Sequence, residues 1–306
     1  MSTSFSGAEL AARLSLRRSY GGAWRGNCPA CGYAGTFSVK QEGGRALWWC
    51  ASCQDQAALS AAVAAAMGEA WTPPPPRETK RELAHPGSHT QRKQAWARQL
   101  WNDGLPIAGS PAERYLEARG VLTAWRAFPM PAEGEQLRFH PAAPHPATGG
   151  ERLPAMLALL RRATDGEPVA VHRTYLRPDG SGKAEVEPAK ATLGPVAGGV
   201  VMLHGAPAGE APLVIGEGIE SALAASLLLG APAWSATAAG NLGALALPPL
   251  PALNTLLIAA DADPPGEAAA WASTQRWRGE GRSVRIAKPN RPGDDFADIA
   301  ARRRKD

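Results

Sequence analysis

The C-terminal third of the sequence alternates short apolar runs with stretches of helical composition. The runs APLVIGEG, PAWSATAAGN, NTLLIAADAD and SVRIAKP are each followed by a stretch that reads as a helix. Continuous apolar runs of this length are typical of strands buried on both faces. Strands that alternate with helices form a parallel sheet covered by helices. We therefore predict an α/β domain over residues 208–306.

Acidic side chains follow three of these strands at the point where each strand ends. They are Glu217 after PLVIG, Asp261 and Asp263 after TLLIAA, and Asp294, Asp295 and Asp298 in PGDDFAD. The carboxyl ends of parallel strands meet at one edge of a sheet, where ligands bind. Because clustered carboxylates repel one another, they favour a bound divalent cation. Oxygen ligands of this kind suit Mg²⁺ or Mn²⁺.

Helix capping is the alternative interpretation of these acids, since Asp and Glu are favoured at helix N-termini. Capping explains any one acid, but it explains poorly why three strand ends carry acids at the same edge. Asp261 and Asp263 are two residues apart, so in extended backbone their side chains project to the same side. The sequence therefore predicts a cation site.

All four cysteines lie near the N-terminus as two C-x-x-C pairs, Cys28/Cys31 and Cys50/Cys53. Between the pairs, TFSVKQEGGRALWW reads as two short strands joined at a Gly-Gly turn. A redox-active pair is the alternative, but two pairs at this spacing favour a zinc ribbon. Four thiolates would close a tetrahedral shell around one structural Zn²⁺. We predict that residues 1–70 form this zinc-ribbon module.

The segment that follows the module has a different composition. Residues 71–92 contain four consecutive prolines and no apolar periodicity, which predicts a flexible Pro-rich linker. Over residues 93–207, KQAWARQLWNDGLP and SPAERYLEARGV read as helices. QLRFHP, LPAMLALLRR, PVAVHRTYLRP and GGVVMLHG read as strands. This segment is predicted to form a basic α+β subdomain.

Basic residues cluster within this subdomain, where the chain reads as a β-hairpin around PDGSGK. They are His172, Arg173, Arg177, Lys183 and Lys190, with Arg138 and His140 as further candidates in LRFHP. Lysine and arginine at such positions bind phosphate groups. An ordinary solvated hairpin is the alternative, above all for Arg177 and Lys183. In the ribbon, Trp49 is either a stacking platform for an unpaired base or a brace for the fold.

Charge and hydropathy set broader limits. The net charge of +5 permits a polyanionic partner without requiring one. The N-terminus lacks the apolar core of a signal peptide, and ALAASLLLGAPAW is too short and broken to span a bilayer. Four cysteines suit a reducing compartment better as metal ligands than as disulfides. We expect a cytoplasmic protein without a membrane partner.

The motifs resemble a known family. VIGEGIESALA and LLIAADADPPGEAA closely resemble the Toprim signature of primases and topoisomerases, an E-G motif followed by D-x-D-x-x-G. PGDDFADI resembles the ending found in primase-like Toprim proteins of phages, plasmids and integrative elements. RYLEARGV, LRFHP and the segment from VHRTYL to GGVVML resemble the part of the chain that precedes Toprim in those proteins. With the ribbon in front, the resemblance covers nearly the whole chain.

The resemblance implies a DNA primase that makes short RNA primers on single-stranded DNA from nucleoside triphosphates. It implies catalytic Mg²⁺ or Mn²⁺ held by Glu217, Asp261, Asp263 and Asp295, with Asp298 or Asp294 as a further ligand. Lys190 would be the cation nearest the nucleotide. The implied nucleotide or template contacts are His172, Arg173, Arg177, Lys183, Arg138 and Trp49. A replicative helicase is a candidate partner.

Two other functions stay open. A Toprim nuclease would use the same acids to hydrolyse phosphodiesters, and a non-catalytic accessory protein would only bind single-stranded DNA. A topoisomerase is a poor fit, because no domain with a strand-cleaving tyrosine is visible. The sequence contains no G-x-x-x-x-G-K-[ST] segment, so no fused helicase motor is expected. With no helicase-interacting domain after Toprim, a mobile-element primase is favoured over a host replicative enzyme.

Overall fold

The computed structural model describes residues 5–19, 22–32, 35–42, 44–50, 56–68, 87–146, 150–291 and 293–303. The chain divides into two compact units, Met1–His85 and Pro86–Asp306. The predicted linker lies outside the described residues up to residue 86. The linker prediction was wrong for residues 87–92, because a helix begins at Gly87. No helix in the described ranges combines the length and apolar character that crossing a bilayer requires.

The first unit contains a small antiparallel sheet and two helices. Its elements are α1 (Gly7–Arg13), β1 (Arg17–Arg18), β2 (Trp24–Gly26), β3 (Phe37–Glu42), β4 (Arg45–Cys50) and α2 (Gln56–Met67). The strand order is β1-β2-β3-β4. The prediction of two strands found β3 and β4 but missed β1 and β2, because runs of two or three residues are too short to show periodicity. Leu10, Phe37 and Leu59 belong to the core of this unit.

The second unit begins with helices and an antiparallel sheet. Its first elements are α3 (Gly87–Asn102), α4 (Pro111–Ala118), α5 (Leu122–Trp125), β5 (Leu137–Pro144), β6 (Arg152–Arg162), β7 (Pro168–Tyr175), β8 (Lys190–Leu193) and β9 (Gly199–Val200). The strand order is β5-β6-β7-β8, and β9 pairs with β6. Helix α4 begins where the sequence predicted, because the Ser110 side chain accepts a hydrogen bond from the Ala112 amide.

The two faces of this antiparallel sheet pack against different helices. Val171 and Tyr175 of β7 share a core with Trp101 of α3, and we call this side of the sheet the back face. Ala170 shares a core with Tyr115 of α4, and we call this side the front face. Because side chains alternate along a strand, the front face also carries His172. This alternation later decides which basic residues lie near the acids.

The parallel sheet predicted from the C-terminal pattern is confirmed. Its elements are β10 (Leu213–Gly216), α6 (Ile219–Leu229), β11 (Ala233–Ser235), α7 (Ala239–Ala244), β12 (Thr255–Ala259), α8 (Pro264–Gly279), β13 (Ser283–Ala287) and α9 (Phe296–Arg303). The strand order is β11-β10-β12-β13, with every pair parallel. Helix α7 is short and ends at Ala244.

The two sheets of the second unit share one hydrophobic core. Leu116 of α4, Met156 of β6, Val214 of β10 and Leu223 of α6 all belong to it. The segments predicted as separate subdomains, 93–207 and 208–306, therefore form parts of one compact unit. This shared core fixes the front face of the antiparallel sheet against the edge of the parallel sheet that carries the acids.

Candidate active site at the edge of the parallel sheet

The predicted metal ligands lie where neighbouring strands of the parallel sheet end. Glu217 directly follows β10, and Asp261 follows β12. These two strands are adjacent, with Gly216 paired to Ala259. Neighbouring strands lie about 4.8 Å apart, so the two carboxylates arise at adjacent strand ends. Asp295 follows β13, which pairs with the other side of β12.

Two glycines allow the backbone to pack closely at these strand ends. A Cβ on Gly216 would lie 2.9 Å from the Cβ of Ala222 on α6. A Cβ on Gly266 would lie 2.9 Å from Oδ1 of Asp263 and 3.0 Å from the carbonyl oxygen of Asp261. Both separations are shorter than van der Waals contact between such atoms. The glycines beside these acids are therefore required by packing.

Asp261 is at the electrostatic centre of the acidic cluster. Burial and the charge of Glu217 raise the pKa of the Asp261 carboxyl to about 7, with Asp295 and Asp263 acting in the same direction and Lys190 opposing them. The Oδ1 atom of Asp261 is buried and has no hydrogen-bond partner among the described residues. A buried anionic oxygen that lacks a donor and repels its neighbours is well suited to ligate a cation.

The capping interpretation is also correct for several of these acids. Asp263 begins α8 and accepts a hydrogen bond from the Gly266 amide at 2.7 Å. Asp295 and Asp298 cap α9 reciprocally, each accepting from the other's amide at 2.8 and 3.1 Å. A carboxylate has several acceptor positions, so one capping bond leaves capacity for a cation. Asp294 instead pairs with Arg302 at 2.5 Å, which makes it the least available acid.

A buried acid that the sequence reasoning missed lies beside this cluster. Glu220, in the first turn of α6, is only 4% exposed. Its Oε1 accepts a hydrogen bond from the Tyr115 hydroxyl at 2.5 Å, and its Oε2 lies 3.4 Å from the Lys190 ammonium. The Lys183 ammonium lies 4.0 Å from Oε1. The signal was its place in GIESALAAS, where an acid falls within an apolar helical run.

The charges of this buried group are strongly coupled. Burial disfavours the ionised Glu220 carboxylate, but Lys190 and Lys183 outweigh that effect and hold its pKa below the usual range. Glu220 in turn raises the pKa of the Lys190 ammonium, and Glu217 contributes in the same direction. Burial and the charge of Lys190 lower the pKa of Lys183. Lys190 thus lies within electrostatic range of both the buried acid and the acidic cluster.

The front face carries His172 and Lys190. The cross-strand partner of Lys190 is Thr174, and that of His172 is Thr192. Burial lowers the pKa of His172 to about 3, so its imidazole is neutral, and its Nδ1 lies 2.9 Å from the Thr192 hydroxyl. The Thr174 hydroxyl is buried and has no hydrogen-bond partner within the described ranges.

Two predicted contact residues lie on the back face instead. Arg173 donates a hydrogen bond to the Pro144 carbonyl at 2.6 Å and is only 5% exposed. Arg138 stacks on the Trp101 ring at 4.6 Å and donates to the Trp101 carbonyl. These placements argue against the predicted template contacts, because the sheet separates both guanidinium groups from Lys190. Residue type did not reveal this, whereas strand alternation does.

The predicted hairpin around PDGSGK is smaller than expected. In the part of the chain that the structure describes, the strand pairing at this turn is the single bridge between Leu176 and Lys183, and the next strand, β8, then pairs with β7. Arg177 pairs with Glu185 at 2.5 Å on the exposed surface. His140 lies on β5, where its Nδ1 accepts a hydrogen bond from the Ala142 amide at 3.0 Å.

In the first unit, three cysteines are arranged as metal ligands. The sulfur atoms of Cys28, Cys31 and Cys50 lie within 4.8 Å of one another. The Cys31 and Cys50 sulfurs are 3.8 Å apart, which matches the edge of about 3.8 Å expected for a tetrahedron with Zn–S bonds of about 2.3 Å. The fourth predicted ligand, Cys53, lies outside the described residues. This cluster fits a structural metal ion.

The outer face of the N-terminal sheet carries basic and aromatic side chains in one row. Arg17 pairs with Arg25, Arg25 with Ser38, and Ser38 with Trp49 across the four strands. Trp49 is 47% exposed, whereas Trp48 stacks on Phe5 at a centroid distance of 5.8 Å. Arg17 and Arg25 were missed because the short strands that align them were missed.

Family comparisons agree with the geometry of the second unit. The family model described as Toprim domain matches residues 212–306. A second model, described as a domain of unknown function (DUF7146), matches residues 91–203. Residues 212–306 therefore form a Toprim domain, which confirms the predicted fold. A comparison with curated proteins found no match.

Several solved structures are similar to this chain. The RNA polymerase domain of Mycobacterium tuberculosis primase DnaG has 18% identity and a TM-score of 0.44, over 72% of this chain and 83% of that chain. Aquifex aeolicus primase, with its zinc-binding and RNA polymerase domains, has 13% identity and a TM-score of 0.41, over 98% of this chain and 82% of that chain. A DNA primase domain from Pseudomonas aeruginosa has 14% identity and a TM-score of 0.44, over 70% of this chain and 74% of that chain. The chain thus contains a Toprim domain over residues 212–306 and is similar to these primase structures.

Proposed function

We propose that this protein synthesises short RNA primers on single-stranded DNA by metal-dependent nucleotidyl transfer. The observation that carries the proposal is the coupled acidic cluster around Asp261, within electrostatic range of Lys190, in a Toprim domain. Acids that bind divalent cations, together with a nearby lysine, are the groups that binding and reaction of a nucleoside triphosphate require. The sequence resemblance to mobile-element primases adds an origin in a phage, plasmid or integrative element, with a replicative helicase as a candidate partner.

The acidic cluster would hold Mg²⁺ or Mn²⁺ through Glu217, Asp261, Asp263, Asp295 and Asp298. When bound, such ions neutralise phosphate charge and orient the attacking 3′-hydroxyl. The protein supplies a fixed arrangement of ligands, because three of the acids also cap helices and so have restricted rotamers. Burial of Asp261 keeps water away from one side of the site.

The lysines beside Glu220 would bind the triphosphate. Lys190 and Lys183 share one carboxylate, so the group carries a surplus positive charge for phosphate oxygens. His172 stays neutral and lies on the same front face as Lys190, where it would contact the nucleotide without adding charge. Arg177, exposed beside the bridge at Lys183, remains a candidate for template contact. Arg173 and Arg138 have no role in this proposal, because both lie on the back face.

In the first unit, Trp49 and the two arginines in its row would contact the single-stranded template. Base stacking on an exposed tryptophan tolerates any sequence, and neighbouring arginines bind the phosphates. The cysteine cluster would hold one Zn²⁺ that stabilises this sheet. Its role would be structural, since four thiolates including Cys53 leave no open position for a reactant.

The proposal is tested by primer synthesis. The full chain is incubated with single-stranded DNA of varied sequence, labelled ribonucleoside triphosphates and Mg²⁺, and the products are separated by size. Short oligoribonucleotides are expected from the wild type and none from Asp261→Ala. Asp165→Ala, which removes an exposed partner of Arg162, is the matched control and should retain synthesis.

Other outcomes would identify the alternatives. A shortened template without incorporated nucleotides would indicate a Toprim nuclease. Binding of single-stranded DNA without either product would indicate an accessory protein. Synthesis that persists in Asp261→Ala would show that the acidic cluster has been assigned wrongly.

A further inference from the structure

Among the described residues, Glu220 is the most completely buried acidic residue, at 4% exposed. The two lysines that contact it are much more exposed, at 35% for the Lys190 side chain and 39% for Lys183, against 5% for Glu220. The carboxylate thus lies beneath two ammonium groups that reach the surface. Tyr115, on a different helix, donates to the carboxylate from within the core. Three side chains from separate parts of the chain therefore meet at one buried anion.

We propose that Glu220 is a positioning residue that fixes the Lys190 and Lys183 ammonium groups beside the acidic cluster, where both contact the triphosphate. This inference rests on the proposed function and assigns to it a residue that does not itself touch the nucleotide. Glu220 and Glu217 lie on opposite sides of one strand-to-helix junction, three residues apart. The backbone of this junction sets the separation between Glu217 and Glu220. Because Glu220 holds the two lysines, it also fixes their position relative to the acidic cluster.

The physical benefit is preorganisation. A lysine side chain has many rotamers and loses that freedom when it binds a phosphate. An ammonium group already held by a buried carboxylate has lost part of that freedom before the nucleotide arrives. Glu220 raises the pKa of Lys190, which also keeps this half-buried group charged. Tyr115 restricts the carboxylate in turn, so the position of Lys190 depends on α4 as well as α6.

A different role for Glu220 predicts the opposite sign. If this carboxylate only reduced the positive charge of the pocket, its removal would strengthen the attraction for a triphosphate and lower the KM. If it positions Lys190, its removal frees the ammonium group, and the KM rises even though the net charge becomes more positive. The sign of the change therefore separates positioning from charge balance.

The experiment compares Glu220→Gln and Tyr115→Phe with the wild type in the full chain. The control is Glu113→Gln, which removes a carboxylate from the same helix as Tyr115 but pairs with Arg126 on the surface. For Glu220→Gln we expect the KM for ribonucleoside triphosphates to rise about tenfold with a smaller change in kcat, since binding geometry is what is lost. Tyr115→Phe should shift the KM in the same direction by less, and Glu113→Gln should leave both parameters unchanged.

A second measurement does not depend on primer synthesis. Brief acetylation followed by mass spectrometry measures the reactivity of Lys190 relative to the exposed Lys93 in nucleotide-free protein. In Glu220→Gln the relative labelling of Lys190 should increase severalfold, because loss of the carboxylate lowers the pKa of this ammonium group and leaves more free amine. The melting temperature of each variant shows whether it is folded.

The outcomes separate the two claims. If the wild type makes no primers but Lys190 labelling rises in Glu220→Gln, the proposed function fails and the positioning of Lys190 stands. If primers are made, and neither the KM nor the labelling changes in folded Glu220→Gln, the positioning role is wrong. A KM that falls would assign Glu220 to charge balance and likewise overturn the inference.

Discussion

The two candidate metal sites of this protein differ in how closely their ligands lie before a metal binds. Within the described ranges, the sulfur atoms of Cys28, Cys31 and Cys50 are all within 4.8 Å of one another, and no three carboxylates are as close. Burial and neighbouring groups raise the pKa of Cys28 to about 11, so this thiol is uncharged at neutral pH. Uncharged thiols pack together without repulsion.

The carboxylates behave differently because they repel one another when they are ionised. Their mutual repulsion shows in Asp261, the pKa of which rises to about 7 through burial and the charge of Glu217. A site that stays strained without a cation is suited to ions that arrive with a phosphate substrate, whereas a preformed thiol cluster is suited to a permanent structural ion. The contrast teaches that ligand spacing reflects ligand charge as well as metal choice.

The largest expected effect is the loss of the cysteine site. Cys28→Ser should abolish stoichiometric zinc binding and the folded state of the first unit, because structural zinc contributes about 10 kcal/mol or more to folding in small modules. Zinc content and the rate of proteolysis within residues 1–85 measure this effect. The second unit has its own core and should keep its melting transition. A zinc-free first unit that resists proteolysis would break the contrast between the two sites.

The next largest effect concerns the acidic site. Asp261→Asn should lower primer synthesis by about 10³-fold, corresponding to about 4 kcal/mol of lost charge stabilisation at one ligand. Unlike Cys28→Ser, this change should leave the protein folded, because it removes a repelled charge and keeps the side-chain shape. Activity and melting temperature are measured on the same preparation. A variant that loses its fold would mean that Asp261 serves structure rather than chemistry.

The parallel sheet could be predicted from the sequence, because fully apolar strands alternating with helices have few other solutions. The convergence of Glu217 with Asp261 followed from the same rule, since the carboxyl ends of adjacent parallel strands share an edge. Glu220 could not be found in this way. Its partners Tyr115 and Lys190 are distant in sequence, and no local pattern indicates that α4 and β8 meet at one helical turn.

The basic residues show a second limit. Arg173 and His172 are adjacent in VHRT, and composition alone gives both the same phosphate-binding potential. The structure places them on opposite faces of β7, and only the packing of α3 and α4 decides which face lies toward the acids. Short strands such as β1 and β2 were missed for a related reason, because they exist only through pairing with longer neighbours.

An effect of intermediate size should come from the close packing of Gly266 at the acidic site. Gly266→Ala should destabilise the second unit by about 1–3 kcal/mol, because the added methyl group overlaps Asp263 and the Asp261 backbone. Primer synthesis should fall as the two acids are displaced. Gly279→Ala is the matched control on the same helix, since a Cβ there has no atom within 4 Å. The control should be neutral or slightly stabilising, and equal losses in both variants would contradict the packing argument.

The smallest expected effect is a pH dependence that only the acidic site should show. The Asp261 carboxyl loses its proton near its ordinary pKa in the unfolded chain but only near pH 7 in the folded protein. Stability from this group is therefore fully present below about pH 4 and is lost as the pH rises through about 7. We compare Asp261→Asn with the wild type in Mg²⁺-free buffer with zinc bound. The melting temperature of the variant, relative to that of the wild type, should rise between pH 5.5 and pH 8, by about 2–4 °C for each kcal/mol of difference in the free energy of unfolding.

Added Mg²⁺ should reverse that difference. Because a cation competes with the proton for Asp261, Mg²⁺ should stabilise the wild type more at pH 8 than at pH 5.5 and should stabilise Asp261→Asn less at both. The comparison between variant and wild type cancels the titration of groups that do not interact with Asp261, including the thiols of the first unit. A melting-temperature difference that is flat with pH, or an equal response of both proteins to Mg²⁺, would show that Asp261 is not the group that couples protons to metal binding at this edge of the sheet.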